Sequence, residues 1–131
     1  MPEIVTQTLD NGLPVHRIAL EGTRIAARAL ATAVREPANL AARSDMMMSS
    51  MMGAIAFQKD LGAVHSCAHA LGTVCDLHHG LANALMIDTV LAWNVASAPE
   101  KFAELAHVVG ASGGAPGFLA SGTATMSGNL Y

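Results

Sequence analysis

The sequence predicts an all-α fold, a single helical domain of about five helices, and three observations carry that prediction. Of 131 residues, 52% are hydrophobic and only 4% aromatic, so an interior must come from Ala, Leu, Val and Met, which favour helices over strands. From residue 17 to 35 charged side chains recur at helical spacing along one stripe. Proline, glycine and capping signals then divide the chain into helix-length pieces. At this length one hydrophobic core is the expectation, with residues 1–13 as an N-terminal segment, 14–110 as the helical domain and 111–131 as a tail.

Asp10-Asn11-Gly12 is a turn signal, and Pro14 suits the first position of a helix, where its missing N–H has no intrahelical partner to lose. In the first helix Arg17, Glu21, Arg24, Arg28 and Arg35 share the stripe, while Leu20, Ile25, Ala27, Leu30, Ala31 and Val34 fill the remaining circumference, so burial on most sides is expected. Glu36-Pro37 ends it, because a residue before proline is pushed out of the α region. A second helix is expected from about Ala38 to Phe57. Its centre, MMMSSMMGAIAF, contains thioethers that can bind Cu(I), but consecutive methionines point in different directions and commonly fill core gaps, so core packing is the preferred reading.

The third helix is expected from about Leu61 to Val74, and the fourth from Gly80 to Trp93 with Asn94 as a cap. Ser97-Ala98-Pro99-Glu100 has the form of a capping box that opens a fifth helix ending at Gly110. The final stretch, ASGGAPGFLASGTATMSGNLY, is rich in small residues with little periodicity, so loose order is expected there. No internal repeat is evident.

Composition also narrows the function classes. Charged residues make up only 13% of the chain, which implies that apolar surface meets another domain or a second copy, and a homo-oligomer is expected. All five arginines precede residue 44, interleaved with acids and without aromatic neighbours, which argues against nucleic acid. The apolar runs fall short of the roughly 20 residues that cross a bilayer, so no membrane partner is expected. With no basic n-region at the start and two cysteines in all, a cytoplasmic setting is the default.

The chemistry concentrates in GAVHSCAHALGTVCDLHHGLANA, residues 62–84, which holds four of the six histidines and both cysteines. His65 and His69, four apart, would project from one helix face about 40° from each other, and His79 beyond a tight loop could turn back toward that face. Neutral imidazole suits Zn, Fe, Ni and Cu, although buried structural histidines remain an alternative on spacing alone. Cys67 and Cys75 are not paired as Cys-x-x-Cys and read as small buried hydrophobes, and His16 and His107 stand apart.

This stretch resembles the helical domain of the iron-containing (group III) alcohol dehydrogenases. Their signature runs approximately Leu-Gly-x-Val-His-x-x-Ala-His-Pro-Leu-Gly, then His-Gly-x-x-Asn-Ala. Here it reads LGAVHSCAHALG and HGLANA, with the same fourteen-residue step from His65 to His79. The likeness extends more weakly over roughly residues 17–110. It implies that His65 and His79 are metal ligands for Fe(II) or Zn(II), and that His69 is the catalytic histidine beside the substrate in a proton path. It also implies an NAD(P)-dependent oxidoreductase acting on a small-molecule alcohol or aldehyde, with Asn83 orienting ligands.

The departures are as specific. The family's aspartate and first histidine come from an Asp-x-x-x-His helix, and Asp10 to His16 does not have that spacing. SGGAPG follows a helix rather than a strand, so it does not read as a phosphate loop. Ala70 replaces the usual Pro, Asp88 stands near another expected Pro, and His78 adds a competing imidazole beside His79. The expectation is a truncated helical domain, without the nucleotide-binding domain and two metal ligands, that is inactive alone; NAD(P) would bind only with the missing domain. The alternatives are a stand-alone module with His65, His69 and His79 around one metal, and a non-catalytic association domain.

Overall fold

Six helices occupy the described residues of the computed structural model, 15–57 and 62–127: α1 Val15–Arg35, α2 Leu40–Ala56, α3 Ala63–Cys75, α4 His79–Asn94, α5 Pro99–Val109 and α6 Gly114–Ser127. There is no strand among them, as the composition predicts. The expected turn at residues 10–12 and the role of Pro14 lie outside the described residues. The chain forms two compact units, Met1–Lys59 and Asp60–Tyr131. No helix among the described residues is long and apolar enough to cross a membrane.

In the first unit α1 packs against α2. The buried positions of α1, Val15, Gly22, Ile25 and Ala29, recur at helical spacing and form one stripe. This stripe is narrower than the burial on most sides that its apolar content predicts; Ala27 and Val34 are exposed. Gly22 lets the helices approach closely. A Cβ there would lie 3.1 Å from the Cβ of Met52, and Ser49 Oγ donates to the Gly22 carbonyl oxygen at 2.8 Å. An Arg28–Asp45 ion pair at 2.7 Å joins the same helices at the surface.

The turn between α1 and α2 follows the proline logic. Asn39 caps α2, its Oδ1 accepting from Ala42 N at 3.1 Å while its Nδ2 donates to Glu36 Oε2 at 2.8 Å. The methionine run does not form a core. Met47, Met48 and Met51 are 74, 44 and 52% exposed, because only one side of α2 meets α1 and consecutive residues cannot all face it.

In the second unit α3 packs on α4, and α6 on both α4 and α5. Ala68 and Ala82, the buried residues of α3 and α4, are methyl side chains with no exposed surface. Helix α5 begins one residue later than a Ser97 capping box requires. Ala98 is its N-cap, without a side-chain cap bond, and Pro99 stands in the first turn, so the fixed proline φ sets the start. It ends at Gly110, whose φ of +75° supplies the left-handed cap.

Residues 114–127 are helical where composition predicts loose order. Packing accounts for the difference: Ala115 is buried, and Phe118 meets Phe102 of α5 edge-on with ring centroids 5.9 Å apart. The buried apolar residues are mostly alanines, with Val15, Ile25 and Phe102 the only larger ones among the described residues.

Candidate metal centre

Helix α3 carries His65 and His69 one turn apart, and the left-handed Asp76, φ +54°, turns the chain after Cys75. Asp76, Leu77 and His78 then separate α3 from α4, whose first residue is His79. This tight connection brings the three imidazoles together. Ring centroids are 6.2 Å apart for His65 and His69, 5.4 Å for His65 and His79, and 5.3 Å for His69 and His79. His65 is half-buried, whereas His69 and His79 are exposed.

The donors suit a borderline divalent ion, since neutral imidazole is a ligand for both iron and zinc. They do not close around one unaided. Among the described residues no group of three or more His, Cys, Asp or Glu side chains is arranged to hold a metal ion. Two imidazoles at ligand positions, rather than a complete coordination sphere, are what the resemblance assigns here.

The residues around the cluster have separate tasks. His78 does not join it as a competing ligand: its Nδ1 accepts from Gly80 N at 3.2 Å and caps α4. Asn83, one turn along α4, places its Nδ2 2.9 Å from the His79 carbonyl oxygen and 2.9 Å from His79 Nε2. Its Oδ1 is buried without a hydrogen-bond partner. Thr73 Oγ1 donates to the His69 carbonyl oxygen at 2.9 Å, again one turn back along a helix.

The remaining candidates lie elsewhere. Cys75 is exposed rather than buried, and Cys67 is half-buried, lining an apolar groove with Met86, Val90 and Trp93. Neither has the burial that their small apolar character predicts, because α3 is covered on one side only. His107 is an exposed residue near the end of α5, and His16 is an exposed residue of α1. Asn83 is the contributor whose part was underread from spacing. The signal is present in His79-x-x-x-Asn83, the one-turn separation that lets an amide reach an imidazole on the same helix.

Comparison with known proteins identifies this arrangement. Residues 11–125 match the model of the Fe-containing alcohol dehydrogenase family, C-terminal. The chain is 41% identical over 93 residues to 1,3-propanediol dehydrogenase of Klebsiella pneumoniae, a match that covers 70% of this chain and 24% of that protein. It is 43% identical over 91 residues to 4-hydroxybutyrate dehydrogenase of Cupriavidus necator, covering 66% and 24% respectively. A solved structure of a 1,3-propanediol oxidoreductase superposes with a TM-score of 0.83 at 35% identity, over 88% of this chain and 32% of that one. The chain thus spans about a quarter of the length of the curated relatives it matches. With its histidine step, its all-helical fold and this match agreeing, the chain belongs to the Fe-containing alcohol dehydrogenase family and corresponds to its C-terminal region.

Proposed function

We propose that the chain supplies the metal-binding helical part of an oxidoreductase that interconverts an alcohol and its carbonyl compound with NAD(P). In this reading His65 and His79 hold a divalent ion, Fe(II) or Zn(II), and His69 stands beside the substrate. The observation that carries it is the gathering of three imidazoles from two helices, with no pair of centroids more than 6.2 Å apart. Family membership and the dehydrogenases among its relatives support the same reaction class.

When bound, the ion supplies a Lewis acid that polarises the substrate oxygen. The chain's own residues do the rest of the work assigned here. His65 and His79 present imidazole nitrogens from separate helices, so the short connection between α3 and α4 sets the distance between them. His69 takes up or releases a proton at a ring nitrogen, a task that suits an exposed imidazole in contact with solvent. The family's aspartate, its first histidine and its Gly-rich loop have no counterpart in the sequence motifs of these 131 residues, so the chain by itself is expected to yield no NAD(P)H from an alcohol.

A second reading has its own observation in favour: His69 is as close to His79 as His65 is, so all three could share one ion with water in an open position. Metal analysis tests both. The purified chain, incubated with Fe(II) or Zn(II) and desalted, is expected to retain one ion, and His79→Ala to lose it. Metal at background in the unsubstituted chain would sink both readings.

A further inference from the structure

We infer that Asn83 competes with metal for His79: the amide latches the metal-free imidazole through Nε2, and a bound ion must break that latch.

The argument begins with which atom of the amide faces the ring. A backbone carbonyl oxygen only accepts, so the Asn83 atom 2.9 Å from the His79 oxygen must be the nitrogen, Nδ2. Turning the amide over would set two oxygens against each other. The same Nδ2 lies 2.9 Å from His79 Nε2, and an amide nitrogen cannot accept. His79 Nε2 must therefore present its lone pair, and in the neutral ring the proton sits on Nδ1. Both N–H bonds of one amide are thereby committed to a single residue, and the amide keeps this orientation even though its Oδ1 is buried and unpartnered.

Either mode of metal binding at His79 conflicts with this contact. An ion on Nε2 takes the lone pair that the Asn83 N–H occupies. An ion on Nδ1 takes the lone pair there and leaves the neutral ring with its proton on Nε2, where an N–H would face the amide N–H. The hydrogen bond and the metal exclude each other through both nitrogens. Asn83 is a positioning residue, acting on the metal through His79: it holds the empty ring in one tautomer and one orientation, and it lowers the affinity of the site by the strength of the bond that must be broken. The metal arm of this inference rests on the proposed function; the tautomer does not.

Nitrogen-15 spectra of the imidazoles in the metal-free 131-residue chain read the tautomer directly. The expected result is a His79 ring with its proton on Nδ1 and a hydrogen-bonded, unprotonated Nε2, a pattern lost in Asn83→Ala. Zn(II) added to the unsubstituted chain should shift the His79 nitrogens and the Asn83 side-chain amide together. Asn83→Ala should bind Zn(II) about two- to tenfold more tightly, the change that one net hydrogen bond of ordinary strength produces. Asn83→Leu, which fills the space without an amide, should do the same with helix content unchanged by circular dichroism.

A His79 proton on Nε2 in the metal-free chain would overturn the inference, as would Zn(II) affinity that is unchanged or weaker in both variants. Absence of Zn(II) binding in all three chains would overturn the competition together with the proposed function. The tautomer separates that outcome from failure of the contact alone.

Discussion

The ring centroids of His65 on α3 and His79 on α4 lie 5.4 Å apart, although fourteen positions separate the residues in the chain. A centroid separation of this size leaves room for an ion between ring nitrogens, and it depends on both helices. Removal of either ring should therefore abolish the site, while His69 distinguishes the two metal readings. If His65 and His79 are the ligands, His65→Ala and His79→Ala should weaken Zn(II) binding by more than the about 10- to 100-fold typical of supporting residues. His69→Ala should then fall below that range. Isothermal titration of the three variants checks this, and a loss in His69→Ala equal to the other two would favour the three-histidine module instead.

How much of this site can be read from the sequence depends on the range of the interaction. The one-turn relation of His65 and His69, and the return of His79 across a tight loop, are local consequences of helix geometry and were expected from spacing. The stop at Pro37 and the glycine cap at residue 110 are local as well. What spacing could not supply depends on the surroundings. The Met47 to Met51 surface is exposed because α2 has a packed neighbour on one side only, and α6 is helical because Phe118 finds Phe102, a contact across elements with no periodic signature. The Ser97 capping box failed for a different reason: two start signals overlapped, and Pro99, with its φ fixed, prevailed over a side-chain hydrogen bond.

The close approach of α1 and α2 at Gly22 gives a stability prediction. A Cβ at this position meets the Met52 Cβ at 3.1 Å and the Ser49 carbonyl oxygen at 3.4 Å, neither of which is the free end of a flexible side chain. Gly22→Val, which adds a branch as well, should destabilise the first unit by about 1–3 kcal/mol, the usual range for overpacking. Ser49→Ala removes the 2.8 Å bond to the Gly22 oxygen and should cost about 0.5–1.5 kcal/mol. Urea denaturation checks both. The double variant should destabilise by less than the two changes added, because a helix already displaced by valine no longer offers Ser49 its acceptor.

Acid should weaken the N-terminal half of α1 through Glu21. Its carboxyl is held below the ordinary carboxylate value, chiefly by the hydrogen bond from Arg24 and further by the positive charges of Arg24 and Arg28, against a smaller opposing effect of burial. The Arg24 Nε–Glu21 Oε2 bond of 2.8 Å belongs to a two-pronged pair with a second contact from Nη2 to Oε1. A depressed folded value means that the pair's contribution is fully present above the unfolded carboxylate value and is lost as pH falls through the folded one. The pair is exposed, so the effect is small and screened by salt. Denaturation midpoints from about pH 7 to about pH 3 should fall more steeply for the unsubstituted chain than for Glu21→Gln, and the difference should shrink at high ionic strength.

Trp93 is the single tryptophan of the chain and is 82% exposed, at the edge of the groove that it lines with Cys67, Met86 and Val90. An indole in that position is hydrated, so its fluorescence should lie at the red end of the tryptophan range and be quenched by acrylamide nearly as efficiently as free indole. Because no second tryptophan contributes, the signal reports this one surface without subtraction. An aromatic ring this open beside an apolar groove is also a large contact area that a covering element would remove from water. Dilute chain in buffer should give the red, fully quenchable emission, and Trp93→Phe should abolish it with helix content unchanged. Blue-shifted emission protected from quencher at the same dilution would show that this surface is covered.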